Sequence, residues 1–135
     1  MRIVIVVLAL ALAASAAAKG PDRASICGAA RCVAVRGDVE VYALVDWMAA
    51  PFVVRDAPKP TRYYAIEIRD WGRLLYLPNR GLIRIWQGPQ AYGSFPPGSS
   101  SAPYWRSLRR SARAMYAKLV RWLEPRPAPA RWPGV

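Results

Sequence analysis

Between Arg62 and Trp86 the apolar and polar positions fall into three short runs that read as a β-meander. In the first run, Tyr63 to Arg69, Tyr64, Ile66 and Ile68 point one way while Ala65, Glu67 and Arg69 point the other, the period of two expected for a half-buried strand. Asp70-Trp71-Gly72 then supplies a three-residue loop, with glycine where a positive φ is expected. Pro78-Asn79-Arg80-Gly81 supplies a second turn before Leu82 to Trp86. Turns this short make neighbouring strands antiparallel.

Upstream, Cys32 to Val35 and Val39 to Val45 have strand-like composition, and Gly37-Asp38 between them suits a type II′ turn, so a hairpin is expected. Lys19 to Ser25 is polar and reads as loose chain. Asp46 to Ala50 reads as one helical turn capped by Asp46 and stopped by Pro51. Phe52 to Arg55 is a short strand candidate, and Asp56 to Pro60 is a stiff bend.

The period changes near the C-terminus. From Tyr104 to Glu124, Tyr104, Leu108, Ala112, Met115, Leu119 and Trp122 recur on one helical face, flanked by Trp105, Tyr116 and Leu123. The opposite arc collects Arg106, Arg109, Arg110, Arg113 and Arg121. A serine run at Ser99 to Ser101 offers a cap, and Pro125 stops the helix. A sheet with one apolar face and a helix with one apolar stripe bury each other. The expected fold is therefore α+β: a small antiparallel sheet of about 4–6 short strands, with its meander at 62–86, packed against one C-terminal amphipathic helix at about 103–124. Gln87 to Ser101 reads as a long Gly/Pro/Ser loop, and Pro125 to Val135, with four prolines, as an extended tail.

Met1-Arg2, the apolar run from Ile3 and the small residues up to Ala18 have the order of a secretory signal peptide. The stretch from Ile3 to Ala18 is shorter than the ~20 residues of a spanning helix. Isoleucine before Cys27 argues against a lipidated cysteine. The expected organisation is a signal peptide at 1–18, one α+β domain at 19–124 and the tail at 125–135. Cleavage near Ala18 would deliver the domain to the periplasm, the cell envelope or the medium. Cys27 and Cys32, the only two cysteines, then read as a disulfide.

Without that leader the chain carries 19 basic against 8 acidic residues, a formal +11. Such charge draws a protein toward anionic polymers and surfaces. Arginine accounts for 17 of the 20 basic residues of the whole chain, beside abundant Ala, Pro, Gly and Val, so G+C-rich coding accounts for much of it.

No histidine occurs, which removes Ser-His-Asp and Cys-His nucleophile arrangements and the common zinc sites. Asp46 with Asp56, or Glu67 with Asp70, could serve as a carboxylate pair for glycoside hydrolysis, although each has a plainer reading as a cap, turn or solvent-facing residue. Lys19, Lys59 and Lys118 lie in no Ser-Lys motif, and no glycine loop cradles phosphate. Neither a cofactor nor a metal is implied. The positive feature is the arginine stripe: Arg106, Arg109, Arg110, Arg113 and Arg121 could hold phosphate or carboxylate groups of an anionic envelope polymer or a membrane surface. Cytoplasmic nucleic acid does not fit an export signal. A non-catalytic binding or envelope-associated domain is the leading expectation. A small hydrolase and a structural subunit of an exported assembly are the alternatives, and nothing in the sequence indicates an oligomeric state.

Overall fold

The computed structural model describes residues 21–45, 50–70, 72–86 and 105–132. The segment read as a signal peptide, the residues 46–49 of the expected helical turn, Trp71 of the first meander loop and the loop at 87–101 lie outside the described residues.

Seven strands form one antiparallel sheet: β1 (Arg23–Cys27), β2 (Cys32–Arg36), β3 (Phe52–Val54), β4 (Tyr64–Ile68), β5 (Gly72–Leu77), β6 (Leu82–Trp86) and β7 (Trp105–Ser107), in the spatial order β2-β1-β4-β5-β6-β7-β3. Two helices accompany it, α1 (Asp38–Val45) and α2 (Arg110–Leu119). The α+β class and the meander stand, with Tyr64 opposite Tyr76 and Leu77 opposite Leu82 across the two turns. The sheet has more strands than expected because Arg23–Cys27 and Trp105–Ser107 are strands where loose chain and helix are expected.

One face is the main core. Tyr64, Ile66 and Ile68 of β4, Leu74 and Tyr76 of β5 and Ile83 of β6 all point into it. Val41 and Leu44 of α1, one helical turn apart, cover part of that face; Leu108, Ala112, Tyr116 and Val120, recurring at every fourth position, cover the rest. The Tyr116 hydroxyl donates to the Leu44 carbonyl at 2.8 Å, and the Tyr64 hydroxyl donates to the Leu123 carbonyl at 2.7 Å. These bonds give two buried phenols partners inside an apolar layer.

Several expectations are overturned. Val39 to Val45 is helix rather than strand: its alternation puts Val39 and Tyr42 in solvent and Val41 and Leu44 in the core, which is also a helical spacing. Gly37, at φ 106°, turns the chain off the sheet at that point, and β2 finds its partner in β1 instead. Arg23 to Ser25 is therefore strand and not loose chain.

Trp105 to Ser107 is strand β7, joining β6 to β3, so the helix starts at Arg110. The buried stripe shifts accordingly: Met115 and Leu119 are only half-buried, and Trp122, expected in the core, is 71% exposed.

The opposite face holds a second cluster of Leu75, Leu77, Leu82, Trp105 and Trp132. The C-terminal segment closes it. Tyr63 and Arg126 form an antiparallel bridge, the Trp132 indole N–H donates to the Pro58 carbonyl at 2.7 Å, and the Trp132 ring meets Trp105 at 5.0 Å and Tyr63 at 5.9 Å. The segment expected as an extended tail thus packs against the sheet through Trp132. Arg84 is fully buried on this face with its guanidinium 5.6 Å over the Trp105 ring, and burial pushes it below its usual range.

Cys27 and Cys32 are disulfide-bonded at the end of the β1–β2 hairpin. A bond of this kind suits an oxidising, extracytoplasmic setting. No helix among the described residues is long and apolar enough to cross a membrane.

Candidate functional site

The Pro78–Gly81 turn positions the basic end of α2. Gly81 adopts φ 59°, and its carbonyl accepts the Leu108 N–H at 2.9 Å, which fixes the residues just before the helix. Arg109 follows in extended backbone and Arg110 begins the helix. One turn on, Arg113 reaches back so that Nη2 donates to the Arg80 carbonyl at 3.4 Å. Arg109, Arg110 and Arg113 are therefore gathered at one end of α2, and the turn brings Arg80 alongside.

All four are exposed. The first turn of α2 has no acidic residue, and Arg109 provides no side-chain cap for its free N–H groups. A helix start of this kind carries partial positive charge, which adds to the guanidinium field. The only ion pair between described residues joins Arg73 to Glu67, at 4.0 Å on the other face of the sheet. The cluster presents planar, bidentate donors suited to phosphate or carboxylate oxygens.

The other two stripe residues lie elsewhere. Arg106, on β7, turns inward: Nε donates to the Ala50 carbonyl at 2.6 Å and Nη2 contacts the Pro51 carbonyl at 3.5 Å, so it ties β7 to the chain entering β3. Its guanidinium is lowered from the usual value by burial. Arg121 lies beyond the end of α2, stacked at 4.7 Å on the Trp122 ring, beside exposed Lys118. One face of five arginines becomes a group of three at one end, a single arginine at the other, and a structural arginine on a strand. Arg80 was missed because it stands in a turn, outside any helical period; the Pro-Asn-Arg-Gly turn signal marks its position but not its neighbour.

Glu67 and Asp70 line one shallow groove on the sheet with Arg23, Arg36 and Arg69. Both carboxylates are exposed. Asp56 is exposed on the bend after β3, and Asp46 lies outside the described residues. Among the described residues no three acidic, cysteine or histidine side chains come together as a metal site. No family model, no curated protein and no solved structure matches this chain.

Proposed function

We propose that this chain is an exported, non-catalytic binding domain that holds an anionic partner at the N-terminal end of α2. The export signal at 1–18, cleaved near Ala18, would deliver it to the cell envelope or beyond, in agreement with its disulfide. One observation carries the reading: Arg109, Arg110 and Arg113 stand together, exposed, at a helix start that contains no carboxylate. Phosphate groups of an envelope polymer match this donor set.

Retention on immobilised polyphosphate at rising salt tests it. Removing one cation that binds phosphate lowers the log–log salt slope by roughly 0.7–0.9. The charge reversals Arg109→Glu, Arg110→Glu and Arg113→Glu together should abolish retention at moderate salt, whereas the same three reversals at Arg23, Arg36 and Arg69, exposed on a separate groove of the sheet, should only weaken it. Equal loss from both would show that net charge alone is responsible.

A second reading, a structural subunit of an exported assembly, has its own support. β3 ends the sheet, and its Phe52 and Val53 are 70% and 48% exposed. An open edge with apolar side chains is a natural pairing site. Sedimentation that gives a monomer at all concentrations removes this reading.

A further inference from the structure

The far end of α2 carries a different surface. A groove of about 470 Å³ runs between the edge strand β2 and α2. Its floor is apolar: Val33 and Val35 on one side, Met115 and Leu119 on the other, and Leu123 at the end. Val33, Met115 and Leu119 are only half-buried, so they pack against the main core from its margin and leave part of their surface open. The rim is cationic, formed by Lys118 and Arg121, and no carboxylate lines the groove. Trp122 lines it as well, 71% exposed, with the Arg121 guanidinium stacked on its ring.

These features define the chemistry of an occupant. A bare anion would use Lys118 and Arg121 and leave the apolar floor wet. A neutral apolar molecule would use the floor and leave two cations without a role. Only a molecule with an apolar body and an anionic head uses both. An exposed tryptophan beside both is the side chain that favours the junction of apolar and wet phases.

We propose that this groove seats one acyl chain of an anionic lipid. The chain lies along Val33, Val35, Met115 and Leu119, the head meets Lys118 and Arg121, and the Trp122 ring lies at the head–chain junction. The site is separate from the arginine cluster at the start of α2 and does not depend on it.

Titration of the full chain with octyl, decyl and dodecyl phosphate below their micellar concentrations tests this, read by tryptophan fluorescence. Inorganic phosphate and octyl glucoside serve as the tailless and uncharged probes. Affinity should rise roughly 4-fold per added methylene until the groove is filled. Lys118→Ala and Arg121→Ala should each weaken binding about 5-fold. Trp122→Ala should weaken binding and remove most of the fluorescence response, while Arg55→Ala, an exposed cation elsewhere, should change neither. Lys118, Arg121 and Trp122 are exposed, so the variants retain the fold, which far-UV circular dichroism checks. Affinity independent of chain length, binding indifferent to all three substitutions, or tighter capture of an acidic peptide than of dodecyl phosphate would each overturn the proposal.

Discussion

Tyr63 and Arg126 exchange two backbone hydrogen bonds, the Tyr63 N–H reaching the Arg126 carbonyl at 3.2 Å and the Arg126 N–H reaching the Tyr63 carbonyl at 2.8 Å. They attach the segment after α2 to the start of β4, and Arg126 Nε donates to the Gly28 carbonyl at 3.1 Å, which extends the tie to the disulfide turn.

Trp132 depends on this attachment for its place against Trp105 and Tyr63. Trp132→Ala should destabilise the protein by about 3–5 kcal/mol through the cavity it leaves. Trp132→Phe should cost about 1–3 kcal/mol, since it keeps most of the packing but strands the Pro58 carbonyl. Urea denaturation of the two variants checks the order. Equal and small losses would mean that the tail contributes little.

Tyr116 is 0% exposed, and burial first, then the neighbouring Tyr76, push its phenol well above the ordinary tyrosine range. Tyr76 and Tyr64 are raised as well, chiefly by burial. In the unfolded chain these groups lose their protons near pH ~10, while the folded protein retains them to higher pH. The folded state therefore binds more protons above that value, so stability is complete below pH ~10 and falls as pH rises past it. Tyr116→Phe should lower stability at neutral pH by about 1–3 kcal/mol, because the Leu44 carbonyl loses its donor, yet decline less steeply from pH ~10 upward. Denaturation midpoints measured on both sides of pH ~10 decide this; a variant that declines as steeply as the parent contradicts it.

The disulfide closes a hairpin whose turn grips the chain beyond α2. Ala29 donates its N–H to the Glu124 carbonyl at 2.9 Å, and Arg31 Nη2 donates to the Trp122 carbonyl at 2.5 Å. Reduction should cost on the order of 2 kcal/mol on the loop-closure model for so short a ring. Hydrogen exchange should rise first at Ala29, whose amide is held by that bond. Faster exchange confined to the meander would place the effect of the disulfide elsewhere.

Gly28 and Gly81 should respond unequally to alanine. A Cβ at Gly28 would overlap the Glu124 backbone carbonyl, whereas one at Gly81 would meet the Arg113 guanidinium, the far end of a flexible side chain. Gly81→Ala also strains a φ of 59°, which costs about 1–2 kcal/mol. Gly28→Ala should be the more damaging, since backbone has to move. Thermal midpoints in the reverse order would show that the 28–31 turn adapts freely.

What could be read from the sequence follows the local signals. Turn residues at 70–72 and 78–81 and the alternation of Tyr64, Ile66 and Ile68 carried the meander, and two cysteines in an export-type chain carried the disulfide. Readings went astray where two periods fitted the same residues. Val39 to Val45 alternates as a strand does, yet Val41 and Leu44 are also one helical turn apart, and only the arrival of β1 beside β2 settles which geometry is needed. Trp105 to Ser107 fitted a helical stripe by spacing because nothing local marks a strand of three residues held by β6 and β3. The arginine stripe was divided for the same reason: Arg106 went with the strand, and Arg121 fell beyond the helix end.

The sheet order also constrains when this fold can form. β7 joins β6 to β3, α2 covers the central core, and Arg126 and Trp132 close the opposite face, so all three depend on the last part of the chain. Before those residues are available, the β4–β5–β6 meander and the β1–β2 hairpin can pair, but Ile66 and Tyr76 have no helix over them. The core of this domain therefore stays open on one side until the residues from Trp105 to Trp132 pack against it.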